Sequence, residues 1–377
     1  MKTKSIGKII FVIILSLSAI CSDAQNNGYN NFSKEFQIVG GSPVSISSYN
    51  KLIIVNTWAE NKIEVSTAIL NTVADLNSTN WIKKTGIKIN QSADTLKIIA
   101  GYSNDKVKEN LYSILALKIP KGCKLIIDNK NSDIIIQNDI NDLNIHMFSG
   151  HLQTKNIENL SLESDYIDFD AGDIKNARIN FKHGNFRVSS IENLKITSEA
   201  TNLFCTKLEK SDIQSTNDNY EIKEVGVMVC NKSFNTIHVD KLTASLDLTG
   251  AGADLEIGEI EPTTNFLKIH DKYSHLHLPL TDLKDYNVTF QGGFTKVFAN
   301  FEKKPILNAP PIKDQNIVYT GVVIGGTTTP EKSDTAKSKP SKTSVTADKD
   351  PQSFTVKAGK GNMNINVDCY NCLVNFK

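Results

Sequence analysis

A seven-residue segment recurs every seventeen positions along this chain. HLQTKNI begins at His151, DFDAGDI at Asp168, NFRVSSI at Asn185, NLFCTKL at Asn202 and NYEIKEV at Asn219. TIHVDKL at Thr236 continues the series, and IIIQNDI at Ile134 precedes it. A fixed period without helical spacing confines a chain to a repeat architecture, where each unit buries its apolar face only against its neighbours.

Within the unit, the second residues are Ile135, Leu152, Phe169, Phe186, Leu203, Tyr220 and Ile237. The fourth are Gln137, Thr154, Ala171, Val188, Cys205, Ile222 and Val239. Residues two apart share a strand face, and those between them are mostly polar, so each unit opens with a half-buried strand. A second short strand follows, as in LNI from Leu143 and LKI from Leu194. The fold class expected is all-β: a single-stranded β-helix, or β-solenoid, with coils of about 17 residues.

Stacking places equivalent positions about 4.8 Å apart, so columns of the alignment become lists of neighbours. One column reads Glu158, Lys175, Glu192, and another passes from Asp170 to Arg187, opposite in sign. A third reads Asn159, Asn176, Asn193, which predicts a ladder of side-chain amides.

Composition divides the chain into six segments. Lys2, Lys4 and Lys8 precede an apolar run from Ile9 to Ile20 and a small-residue site ending at Ala24, so residues 1–24 read as a secretory signal peptide. Lipidation at Cys21 is the alternative. Residues 25–36 read as a polar, disordered lead, 37–119 as irregular capping coils and 120–326 as the solenoid proper. The Thr-, Ser-, Lys- and Pro-rich tract 327–352 reads as a disordered insertion, and 353–377 as closing strands. No transmembrane segment is expected in the mature chain. Export to the periplasm, the outer-membrane surface or the exterior follows from the signal.

Lys and Arg number 42 against 41 Asp and Glu, a formal charge of +1 that gives no reason to expect nucleic acid as a partner. Cys205 and Cys230 fall in apolar columns and read as buried hydrophobes. Cys369 and Cys372 form a CxxC among strand-like residues, where a local disulfide or two plain thiols fits better than redox chemistry.

Two clusters hold candidate functional residues. Asp168 and Asp170 lie two apart on one strand, with Arg187 one repeat above Asp170; such a group suits a bound ligand or cation. His275 and His277 share a strand face with His270 nearby, a spacing that suits a metal. The plainer explanation is neutralisation of Asp170 by Arg187 in the first cluster and ordinary strand alternation with Leu276 and Leu278 in the second. No GxSxG, HExxH or phosphate-loop motif is present, and no cofactor is expected.

Three stretches carry a family resemblance: KLIIVNTWAENKIEV with Trp58, LALKIPKGCKLIIDNKNSDIIIQNDI with Pro120, and AGKGNMNINVDCYNCLVNF with Gly359 and Gly361. Here the chain resembles the bacterial family called "putative auto-transporter adhesin, head GIN domain". The resemblance spans residues 45–325 and 353–377. It implies a right-handed β-helix and adhesin-like binding, and carries no catalytic residues over. The function expected is therefore non-catalytic binding of a glycan or a protein through a flat repeated face. A polysaccharide lyase or hydrolase, or a purely structural envelope protein, are the alternatives. Near-invariant repeat length argues against an enzyme, because it leaves little chain for the loops that wall a catalytic cleft.

Overall fold

A computed structural model describes residues 29–38, 41–70, 86–92, 94–101, 113–306 and 352–377. Every regular element among them is a strand, and the strands join in one mixed sheet. No helix among the described residues is long and apolar enough to cross a membrane. The expected signal peptide over 1–24 and nearly all of the expected insertion over 327–352 lie outside the described residues.

The repeats pair with one another in parallel. Asn202 faces Asn219 and Thr216 faces Ser233, an offset of 17 residues held along that pairing, and Asn219 faces Thr236 at the same offset. Extended chain runs from Ile157 to Thr216, but it is not straight. Tyr166, His183 and Ala200 have φ of 57°, 49° and 53° and turn it at the same point of each repeat. The residue after such a corner can be forced small. A Cβ on Gly184 would collide with the carbonyl oxygen of Ile167, one repeat below.

Alternation decides what goes inside. Leu152, Phe169, Phe186, Leu203, Tyr220 and Ile237 are all fully buried. The rings of Phe169 and Phe186 stack at 4.9 Å, and Phe181 lies 5.9 Å from Phe186. Each such side chain contributes about 1.5–3 kcal/mol on burial, and the unit repeats it.

The earliest copy of the repeat is displaced from its expected register. Ile134, not Ile135, pairs with Leu152, and Ile135 faces Gln153. Three consecutive isoleucines allow either register by hydrophobicity alone. The corners settle it, because Asn131 and Ser149 are the left-handed residues here, so this repeat is one residue longer than those that follow. A second slip comes earlier than the expected place after Gly250: Val225 faces Leu242, but Val227 faces Ser245, so the extra residue lies at 243–244, and the offset of 18 carries on as Thr236 faces Asp254.

Antiparallel strands lie at both ends of the sheet. Within the expected polar lead, Tyr29–Gln37 is a strand paired antiparallel with Lys62–Leu70, which pairs antiparallel with Ser113–Pro120. At the other end, Ser353–Ala358 runs antiparallel to Tyr286–Gly293. The final strands do not lie outermost. Met363–Tyr370 inserts between Phe266–Lys272 and Tyr286–Gly293, parallel to both. Cys369 and Cys372 form a disulfide at the corner of this inserted segment, while Cys123, Cys205 and Cys230 are free and buried.

Candidate functional site: a polar trench along the repeats

Stacked repeats turn one strand position into a wall. Arg187 Nη1 donates to Asp170 Oδ1 at 3.3 Å, one repeat below, and its guanidinium lies 6.0 Å from the centre of the Phe204 ring. Phe204 faces Glu221, and Glu221 faces His238. The next position supplies a floor of Val188, Cys205 and Ile222, all buried. The position beyond adds Ser189, Thr206, Lys223 and Asp240, and together these residues line an open trench of about 540 Å³. That size suits a small or elongated ligand.

The charges in the trench differ in how fully they are used. Asp170 lies between Arg187 and His151, whose Nε2 is 3.3 Å from Oδ2. His238 contacts Asp240 at 2.9 Å and Glu256 at 3.3 Å. Partial burial opposes its charged form, but hydrogen bonds to the two carboxylates outweigh it and hold the imidazole pKa above its ordinary value. Glu221 and Lys223 are exposed and, among the described residues, have no side-chain partner, so both remain available to a ligand. Burial pushes the Cys205 thiol up to about 12, which keeps it protonated and removes it as a nucleophile. The trench thus offers donors and acceptors of both signs around one aromatic ring.

Of the first cluster of candidates, Asp170 and Arg187 come together in this wall, and Asp168 is not among the residues that line it. Asp168 Oδ1 accepts from Asn185 Nδ2 at 2.6 Å, and Asn202 donates to Asn185 at 3.0 Å. This is a second amide ladder beside the expected one, in which Asn193 donates to Asn176 and Asn176 to Asn159. Following the column from Asp170 and Arg187 upward in sequence leads to Phe204, Glu221 and His238, so the rest of the wall was within reach of the alignment.

The three candidate histidines are spread over separate partners. His270 Nδ1 lies 3.8 Å from Asp368, and His275 Nδ1 lies 3.2 Å from Asp254. His277 faces Glu256 on one side and Asn375 on the other. The left-handed corner at Tyr273 turns the chain between His270 and the other two. Among the described residues, no three His, Cys, Asp or Glu side chains group as ligands for a metal ion.

The sequence matches no known family and no curated protein. Solved structures do resemble the fold at low identity. A "putative adhesin" from Parabacteroides distasonis is 12% identical over 66% of this chain and 96% of its own, with a TM-score of 0.35. One from Parabacteroides merdae is 13% identical over 67% and 97%, at 0.36. A "putative cell adhesion protein" from Clostridium sporogenes is 10% identical over 93% and 99%, at 0.23. Likeness at this level says nothing of what this chain binds.

Proposed function

We propose that the chain is an exported, non-catalytic binding protein. Its parallel repeats form a right-handed β-solenoid of 17-residue coils, and its ligand lies along the trench. The observation that carries this reading is the trench wall itself: Arg187, Phe204, Glu221 and His238 stand in line, one per repeat, with Lys223 beside them. A linear ligand laid along the repeats meets a cation, a ring face and an anion in succession. Pyranose rings offer both C–H faces and hydroxyls to such a surface, so a glycan suits it better than a protein segment. Regular repeats favour many modest contacts over one deep pocket.

The test is a glycan array probed with the wild-type protein and with an Arg187→Ala, Phe204→Ala double variant. The variant is expected to fold, since both side chains are partly solvent-facing, and to lose at least about tenfold in affinity. Equal binding by the two proteins, or none by the wild type, would sink the glycan reading. Protease shaving of intact and permeabilised cells separately tests where the protein resides.

A further inference from the structure

Lys232 and Asp271 form the most deeply buried pair of opposite charges among the described residues. Lys232 Nζ lies 2.8 Å from Asp271 Oδ2, and both side chains are 0% exposed. The two residues are not on adjacent repeats. Lys232 faces Gly250 in the sheet, and Thr249 faces His270, which puts Gly250 between Lys232 and Asp271 in one inward column. A Cβ on Gly250 would come within 2.6 Å of Lys232 Cγ. The missing side chain is what lets the lysine cross a whole repeat inside the protein.

The carboxyl group is held in a particular way. Its Oδ1 accepts two hydrogen bonds, from the Lys272 backbone N–H at 2.8 Å and from Ser274 Oγ at 2.9 Å. Among the described residues, its Oδ2 faces the lysine nitrogen alone. Two donors on one oxygen and an amine against the other is the arrangement that favours attack on a carbonyl carbon, because the donors stabilise the charge that gathers on Oδ1. The amine is held against the carboxyl, so no entropy is lost in bringing them together.

We propose that Lys232 and Asp271 are the site of an intramolecular amide cross-link. The ammonium passes one proton to Oδ2, and the neutral Nζ attacks Cγ. A second proton leaves the nitrogen for the same oxygen, which departs as water. The Nζ–Cγ bond forms as the Cγ–Oδ2 bond breaks; no electrons change hands and no co-reactant is needed. Condensation removes two charges from a site without solvent, where an ion pair recovers its desolvation cost poorly. Oδ1 keeps both of its donors as the new amide oxygen. The link would close a loop of 39 residues in sequence separation, across the point where the 17-residue spacing is lost. Tension applied to the chain could not draw out the repeats between them.

The test is the intact mass of the purified, reduced and denatured full chain, followed by tryptic mapping. The expected wild-type mass is one water lighter than the processed sequence, about 18 Da. A branched peptide should join Lys232 to Asp271, with no cleavage after Lys232. Lys232→Arg should have its full mass. Ser274→Ala, which removes one donor from Oδ1, should give a mixture of linked and unlinked chains soon after synthesis. A wild-type protein of full mass, cut by trypsin after Lys232, would overturn the proposal and leave the pair as an ion pair.

Discussion

Asp218 follows the left-handed Asn217 and turns its carboxylate into the protein. Oδ1 accepts from the Thr201 backbone N–H at 2.7 Å, and Oδ2 accepts from Ser198 at 2.6 Å and Ser215 at 2.7 Å. Asn235 in turn accepts from the Asp218 backbone N–H at 3.2 Å and donates to Ser215. Burial raises the Asp218 pKa above its ordinary value, against the lowering effect of these hydrogen bonds. Between the unfolded and the raised folded value, the native state holds more protons than the unfolded chain. Stability therefore falls as pH rises through that window. Asp218→Asn keeps the shape and removes the titration, so its urea midpoint should vary less with pH there than the wild type's. Identical slopes in the two proteins would show that Asp218 keeps an ordinary pKa.

Corners are where the elements carry strain. Left-handed φ suits glycine and asparagine, and Asn50, Asn131, Asn217, Gly252 and Asn371 fill several corners accordingly. Tyr166, His183, Phe234, Tyr273 and Phe294 do not fit that rule, and all are left-handed. Some strain is offset by contacts between corners: Tyr166 stacks on His183 at 4.6 Å, and Phe294 meets Tyr370 edge-on at 5.7 Å. Phe234 is 64% exposed, so asparagine there should relieve the backbone with little packing loss. We expect Phe234→Asn to raise unfolding stability by about 1 kcal/mol in chemical denaturation. A loss of stability would mean that the ring's contact over Gly252 outweighs the strain. Legibility divides along the same line. The half-buried strands could be read because a strand repeats its side-chain direction every two residues, and the amide ladder because the 17-residue repeat made Asn176 a neighbour of Asn159. Backbone sign at a corner leaves no such trace when the residue is aromatic. The run Ile134, Ile135, Ile136 misled for a related reason, since each register buries isoleucine.

At the scale of the whole molecule, spatial order departs from chain order near both ends. Leu52–Trp58 lies between Ser113–Pro120 and Ile134–Ile136. Met363–Tyr370 fills the place between Phe266–Lys272 and Tyr286–Gly293, and Leu373–Asn375 does the same between His275–His277 and Lys296–Phe298. Alternation in the sequence marks these segments as strands but cannot say which strands they join, because every interior column accepts an apolar residue. The consequence is a dependence of one region on another made later. Tyr286–Gly293 has two partners, and both, Met363–Tyr370 and Ser353–Ala358, come from the C-terminal segment. Its pairing has to wait until residues 353–370 are made, and closing so long a loop slows folding. Deleting residues 352–377 should therefore strip amide-exchange protection from 286–298 as a block. It should also expose the edge at Leu267 and Ile269, which are buried in the intact protein and would favour association. The repeats from 143 to 242 pair with one another in parallel and should keep their protection, since each depends on its nearest neighbours in the sheet. Hydrogen exchange read by mass spectrometry separates the outcomes. Protection surviving at 286–298 in the shortened chain would mean that those strands pair directly with 266–277, and that the inserted order is wrong.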